Sequence, residues 1–357
     1  MKIRGIPSFS SEPAHQAPQH EMKAGNINMI AKVFDGIYRI PVNLPRNPLR
    51  VLNSYFIRGR GDERNLLIDT GFNMDECRSD LRDGLRELNA DVSKTDLYLT
   101  HMHSDHSGLA ADFGAAGAHI LMGKTDYSLQ QNYRHDKTWR ECFPEYVGLG
   151  ASDEEMEAIM ASTPAWKYIS PPFRAELLQD GDSLFYGGYQ FTCISTPGHT
   201  PGHLCLYNAA NRLMFLGDHV LFDITPNITC WPGVEDSLGD YLESLRKIAA
   251  YDVRIPLPGH RTTRGMSMAA RVEQLLAHHE KRLEETHSIL VRRPQQTCYE
   301  TASQMSWKIR AKSWADFPPA QKMFALGEAK SHLDYLVHKG KARCVPGPGG
   351  HWLYSAV

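Results

Sequence analysis

The chain has 357 residues, 42% hydrophobic and 22% charged, the composition of an ordinary soluble globular protein. At about 150 residues per domain this suggests roughly two domains, with core enough to dispense with disulfides. Lys and Arg number 39 against 41 Asp and Glu, and the net charge of -2 excludes a generally basic nucleic-acid coat. Seven cysteines are scattered without a C-x-x-C, which reads as reduced thiols in a cytoplasm. The N-terminus lacks the apolar run of about 7–15 residues that a secretory signal needs, and no run of about 18 predicts a membrane span. Histidine, at 17 residues, is the outlying count.

Residues 1–27 are polar and rich in Pro, Ser and Gln, and read as an N-terminal arm that includes His15 and His20. Short β-branched and aromatic runs follow at 33–42, 53–58 and 66–69, separated by Pro and Gly. Residues 74–89 have helical spacing, with Leu81, Leu85 and Leu88 on one face. A strand at 96–100 runs into HMHSDHSG, followed by a short helix at 107–114 and a strand at 119–122. Residues 124–180 read as a helical insertion rich in aromatics, among them Tyr127, Tyr133, Trp139, Phe143 and Tyr146. It either packs onto the sheets or roofs a site with apolar walls; Tyr127, Tyr133 and Trp139 are the substrate-wall candidates.

Strands are expected at 190–195, 204–207, 213–216 and 254–257, with helices at 237–250 and 269–291. His278, His279 and His287 of the latter are assigned to its solvated face. After RRPQQ come helical spacing at 299–309 and 320–339, then strands at 342–345 and 351–354 around PGPGG. Strands and helices alternate without strict βαβ order, which suggests two sheets with helices outside, a layered α/β/β/α arrangement.

The chemistry concentrates in His101-x-His103-x-Asp105-His106, directly after a strand. Two histidines two apart can face one point from an extended loop, and Asp105 and His106 can then turn to a second point nearby. Zinc is held by such nitrogen and oxygen donors. Downstream, His199 and His203 sit in TPGHTPGH, Asp218 ends FLGD and His260 ends PGH. Each follows a strand and a glycine turn, as a site at one edge of a sandwich requires.

In this order the motifs resemble those of the metallo-β-lactamase-fold hydrolases, over roughly residues 30–265. The resemblance implies a four-layer αββα sandwich with two divalent metal ions, zinc first and iron or manganese as alternatives. It implies His101, His103 and His199 on the first ion, Asp105, His106 and His260 on the second, and Asp218 bridging both. Asp69-Thr70-Gly71 matches the family's early strand-end motif, which makes Asp69 a support for a ligand histidine. His203 and His219 are further candidates for such support.

True class B lactamases usually carry Cys at the position of Asp218, and flavodiiron proteins Glu at that of His103. The set here is like that of glyoxalase II, lactonases and the family's RNA-processing nucleases. The tail, KSHLDYLVHKGKARCVPGPGGHWLYS, looks like a winged-helix segment. Such tails occur in a subgroup of the family that includes predicted thioesterases and an endoribonuclease. Its helix carries Lys330, His332, His338, Lys339 and Lys341 beside Glu328 and Asp334, a modest basic count that argues against nucleic acid. Structural use or homodimer formation is placed ahead of pocket completion and nucleic-acid contact.

The division is therefore 1–27 arm, 28–292 catalytic domain with the insertion at 124–180, and 293–357 winged-helix-like domain. The expected activity is hydrolysis of a small acyl substrate, a thioester first, by a metal-bridging hydroxide placed by Asp105 and Asp218. Arg261, just after His260, is a candidate contact for an anionic substrate, as is Arg264. The alternatives are a lactonase, an endoribonuclease or phosphodiesterase, and a DNA-binding winged-helix regulator.

Overall fold

Alternation along the strands builds the core. In Thr95–Leu99, Leu97 and Leu99 face a helical layer while Tyr98 faces a second sheet. Every residue of that strand is buried, as a strand covered on both faces requires. The computed structural model describes residues 29–132, 137–162, 167–309 and 311–357. The expected arm, with His15 and His20, and Tyr133 lie outside the described residues.

The first sheet is in chain order: β1 (Ala31–Phe34), β2 (Ile37–Asn43), β3 (Val51–Ile57), β4 (Asn65–Ile68), β5 (Thr95–Leu99), β6 (Ile120–Gly123) and β7 (Glu176–Leu178). β1 to β4 pair antiparallel and β4 to β7 pair parallel. The run at 33–42 is therefore a hairpin rather than one strand, turned at Asp35-Gly36. Between these strands lie α1 (Asp75–Glu87), α2 (Ser104–Ser107), α3 (Ala110–Ala115), α4 (Lys124–Gln130), α5 (Trp139–Cys142) and α6 (Asp153–Ser162). α1 buries Leu81 and Leu85 against Ile40, Val42 and Phe56, at about 1.5–3 kcal/mol per large apolar side chain.

The second sheet runs β12-β11-β10-β9-β8, from β8 (Ser183–Tyr186), β9 (Tyr189–Ser195), β10 (Leu204–Asn208), β11 (Leu213–Gly217) and β12 (Ile255–Pro258). β8 was not expected; it is a short edge strand with no buried residue. Phe191, Leu206, Leu213 and Phe215 meet Tyr55, Ile57 and Tyr98 between the sheets. Met214 and Leu216, on the other face, pack against α7 (Ser237–Ala249) and α8 (Met268–Arg292). Asp236 caps α7 through the Gly239 N–H, and α8 ends just before Pro294. The result is the four-layer αββα sandwich.

The tail holds α9 (Cys298–Gln304), α10 (Pro319–His338), β13 (Ala342–Pro346) and β14 (Trp352–Ala356). A capping box of Thr297 and Glu300 starts α9, which stops short of the expected 309. The insertion packs in two directions: Tyr127, Leu129 and Phe173 join the core against the first sheet, and its middle turns to the tail. Phe143, Tyr146, Met156, Ile159 and Met160 share one cluster with Ile289 of α8 and with Leu326, Leu333 and Tyr354 of the tail. Among the described residues no helix is long and apolar enough to cross a membrane, and all seven cysteines are free.

The face of α8 assigned to solvent is also corrected at His279. That ring is buried and stacks on buried His332 of α10, with 3.3 Å between Nδ1 and Nε2. Arg282 and Thr286 are buried beside it, so a polar stripe of α8 faces α10 rather than water.

Candidate metal centre

Four strand ends on one edge of the sandwich supply the predicted donors. The first loop leaves β5 through Thr100. His101 and His103 precede α2, which places Asp105 and His106 on a helical turn. Asp69 follows β4 in a left-handed conformation, φ 62°. Its carboxylate accepts from the Thr100 N–H at 2.9 Å, the Thr100 hydroxyl at 2.8 Å and His106 Nδ1 at 2.7 Å. The Thr100 oxygen in turn lies 3.0 Å from His101 Nδ1. Asp69 thus reaches two of the histidines, one directly and one through Thr100.

The second loop joins β9 to β10. There His199 Nδ1 donates to the Asn227 carbonyl at 2.8 Å. Asp218 follows β11. His260 follows β12, and its Nδ1 donates to the Val51 carbonyl at 2.9 Å. A carbonyl can only accept, so Nδ1 carries the proton in each neutral ring and the Nε2 lone pairs of His199 and His260 turn inward.

These atoms converge. Donor atoms of His101, His103 and His199 lie within 4.8 Å of one another, as do those of His101, His106 and Asp218, and those of Asp105, His106 and His260. Asp218 stands between the groups: Oδ1 is 3.4 Å from His106 Nε2, and Oδ2 is 3.8 Å from His199 Nε2 and 3.5 Å from His260 Nε2. Asp105 Oδ2 is 3.3 Å from His260 Nε2.

The donor set fits divalent cations. His101 Nε2 faces His103 Nδ1 at 3.1 Å, and His106 Nε2 faces His260 Nε2 at 3.2 Å. The Nδ1 atoms of His106 and His260 are engaged by Asp69 and the Val51 carbonyl, so when both rings are neutral their Nε2 lone pairs face one another, an arrangement that a cation between them relieves. Among the described residues, His199 Nε2 and Asp218 Oδ1 are buried without a hydrogen-bond partner. Burial, and then the charge of His199, pushes His103 down to about 3, so it stays a neutral ligand at ordinary pH. Burial works against the charge on His106, but Asp69, Asp218 and Asp105 outweigh it and hold its pKa well above the usual range. A protonated His106 would leave the cluster short of a donor, and a bound cation would displace that proton.

A model of the metallo-beta-lactamase superfamily matches residues 48–260, more than half of the chain. The chain belongs to the metallo-beta-lactamase superfamily. It is accordingly a metal-dependent hydrolase. It is 26% identical to the Caenorhabditis elegans beta-lactamase-like protein 2 homolog over 88% of each chain. It is 28% identical to the human acyl-coenzyme A thioesterase MBLAC2, over 60% of this chain and 75% of that one. The crystal structure of a metallo-beta-lactamase family protein from Thermus thermophilus superposes with a TM-score of 0.76 at 27% identity, covering 91% of this chain and all of that one.

The other expected site residues of this superfamily member divide between contacts away from the donors and contacts beside them. The Tyr127 hydroxyl donates to the Phe173 carbonyl at 2.9 Å, and Trp139 packs on the cluster shared with the tail. The Arg261 guanidinium donates to the Pro48 carbonyl at 2.7 Å, and Arg264 pairs with Asp223. His203 stacks on His101 with centroids 5.2 Å apart and shares a 2.8 Å bond with the Thr196 hydroxyl. His219 is buried between His203 and Tyr241.

Several supporting residues lie outside the motifs that were expected to carry the site. The Trp231 indole donates to the His199 carbonyl at 3.2 Å, and its ring lies 5.7 Å from that of His103. The loop holding Asn227 and Trp231 is buttressed by α10: Asn227 Nδ2 donates to the Phe324 carbonyl, and the Ser331 hydroxyl to the Ile228 carbonyl. Tyr146 of the insertion bonds Thr229 at 2.7 Å. Asp126, fully buried in α4, accepts from Met102 N–H at 2.9 Å, Thr200 hydroxyl at 2.6 Å and Gly202 N–H at 2.5 Å. Its signal was available, because it follows β6 and Gly123 in the same strand, glycine, carboxylate format as Asp218.

Proposed function

We propose that this superfamily member is a dinuclear thioesterase, with zinc the first candidate metal and iron or manganese the alternatives. One observation carries the dinuclear part: the Asp218 carboxylate lies between the His101/His103/His199 group and the Asp105/His106/His260 group. On this reading each group holds one ion and Asp218 reaches both. Bound there, divalent ions supply Lewis acidity and lower the pKa of water towards about 7.

The chain's own contribution is orientation. Asp69 and the Val51 and Asn227 carbonyls each take an Nδ1 proton, which fixes the tautomer and turns Nε2 of His106, His260 and His199 inward. The charges of His106 and His260 outweigh burial at Asp105 and hold it ionised, with a pKa of about 2. No cysteine serves as nucleophile on this reading: burial pushes Cys193, Cys205 and Cys230 up to about 12.

The human relative's name supports an acyl thioester of coenzyme A as the substrate, and a carrier-protein thioester is the alternative. We read 28–292 as the catalytic domain and 293–357 as a winged-helix-like unit with a structural role, an order that α9, α10 and the β13–β14 hairpin support. Metal analysis of the purified protein, with a screen of acyl-coenzyme A, acyl-carrier, lactone, phosphodiester and RNA substrates, tests the reading. Two equivalents of metal and thioester cleavage are expected. Cleavage of phosphodiesters or RNA alone overturns it.

A further inference from the structure

We propose that Asp126 is a positioning residue that sets the spacing between the two histidine loops of the metal centre. The inference rests on the metal-site reading above. One carboxylate oxygen, Oδ2, accepts from Met102 N–H and from the Thr200 hydroxyl; the other, Oδ1, accepts from Gly202 N–H. Met102 is the residue between His101 and His103, and Thr200 follows His199. A single side chain therefore ties the loop after β5 to the loop after β9, which belong to different sheets.

The backbone is cut to admit it. A methyl group on Gly202 would overlap the Asp126 backbone nitrogen, and one on Gly123 would overlap the Gly202 carbonyl oxygen. Neither glycine has a positive φ, so both positions call for space rather than for unusual backbone. The end of β6 is thereby pressed against the second loop, and the first turn of α4 delivers the carboxylate between the two. No Lys or Arg bonds this carboxylate among the described residues. Its partners are two backbone amides and a hydroxyl, which suits a part that fixes geometry. Burial pushes its pKa up to about 6, opposed by these three donors.

The arrangement explains a mismatch of scale. His101, His103 and His199 must hold one ion to within tenths of an ångström, yet they come from two sheets joined mainly by packed apolar side chains, with the Thr100 and Leu204 carbonyls accepting from the Leu204 N–H and the Tyr98 hydroxyl beside the loops. A charged acceptor shared by two main-chain amides is far stiffer to sliding than such packing.

Asp126→Asn keeps the shape but leaves one accepting oxygen. Whichever way its amide turns, the NH2 group meets the Met102 N–H or the Gly202 N–H. Zinc affinity, by competition with a chromophoric chelator, is expected to fall on the order of 10–100-fold. The visible spectrum of the cobalt-substituted protein should change with it. Asp96→Asn is the control: that carboxylate is also buried and accepts three donors, from Arg64, His119 and Tyr186, but it lies at the opposite end of β5. It should lower thermal stability while leaving zinc affinity and the cobalt spectrum unchanged.

A folded Asp126→Asn protein with parental zinc affinity and cobalt spectrum overturns the proposal. If that variant does not fold, Thr200→Val decides: a measurable loss of zinc affinity at unchanged apoprotein stability supports the proposal, and parental affinity overturns it. A parent that binds no metal at all would instead sink the site reading, and this proposal with it.

Discussion

Gly327 packs against the loop whose Asn227 carbonyl orients His199, and Gly327→Ala probes that contact. The residue lies inside α10 against the loop that carries Asn227 and Trp231. An added methyl would overlap Thr229 Oγ1 and stand 2.7 Å from the Tyr146 hydroxyl and 2.9 Å from Thr229 Cβ. Helix propensity alone would favour alanine by about 1 kcal/mol. Overpacking at a stiff β-branched neighbour costs about 1–3 kcal/mol. Displacing the Tyr146–Thr229 hydrogen bond adds about 1 kcal/mol. The expected net loss is about 1–3 kcal/mol, read as a lower urea midpoint at unchanged slope. Zinc affinity should fall as well, because Asn227 O orients His199 from the same loop. Adding Thr229→Ala removes the overlapping hydroxyl, so the double variant should recover most of the loss caused by Gly327→Ala. A Gly327→Ala protein as stable as its parent, with unchanged zinc affinity, would refute the claim that α10 buttresses this loop.

Four further outcomes are expected. Asp69→Asn deprives His106 of its charged partner and should weaken metal binding by about 10–100-fold in chelator competition. Asp218→Ala should lower both metal content and turnover; parental values of both would remove Asp218 from between the ions. Stripping metal with a chelator should lower the melting temperature, by the equivalent of about 2.7 kcal/mol if metal had been present at 100 times its Kd. Glu145 has both carboxylate oxygens buried without a hydrogen-bond partner among the described residues, and burial raises its pKa from 4.5 to about 7. The folded protein thus keeps a proton that the unfolded chain gives up. The resulting stability is full below about pH 4.5 and is lost as pH rises through 7. Glu145→Gln should match its parent near pH 4 and exceed it at pH 8 by about 1–3 kcal/mol in denaturant titrations.

The donor cluster was legible because each of its residues follows a strand end and a turn, a local pattern that survives without knowledge of the fold. The sandwich was legible for a similar reason, since runs such as LYL and LMFLG announce strands buried on both faces. The supports were not. Asn227 and Val51 act through main-chain carbonyls, which any residue type supplies. Trp231 looks like an ordinary core aromatic until His103 lies beside it. The insertion's apolar residues Met156, Ile159 and Met160 declared a helix but not its partner, because Leu326 and Leu333 come far later in the chain. His279 was assigned to solvent because the buried stripe of α8 also carries Arg271, Arg282 and Thr286, and a polar stripe facing another helix has the same periodicity as one facing water. β8 escaped because an edge strand with no buried residue lacks the hydrophobic alternation that marks the others.

The buttress also has an order in time. His260, the last of the seven donors, is synthesised before any residue of α10. Phe324, whose carbonyl holds Asn227, follows roughly 60 residues later, several seconds at about 5–20 residues per second. During that interval the nascent sandwich has all seven candidate donors, while the loop that carries Asn227 lacks its brace from α10 and the cluster around Met156 and Met160 lacks Leu326, Leu333 and Tyr354 of the tail. Metal capture in its final geometry is therefore a late event, and a ribosome stalled between His260 and α10 would hold a chain exposing apolar surface to chaperones.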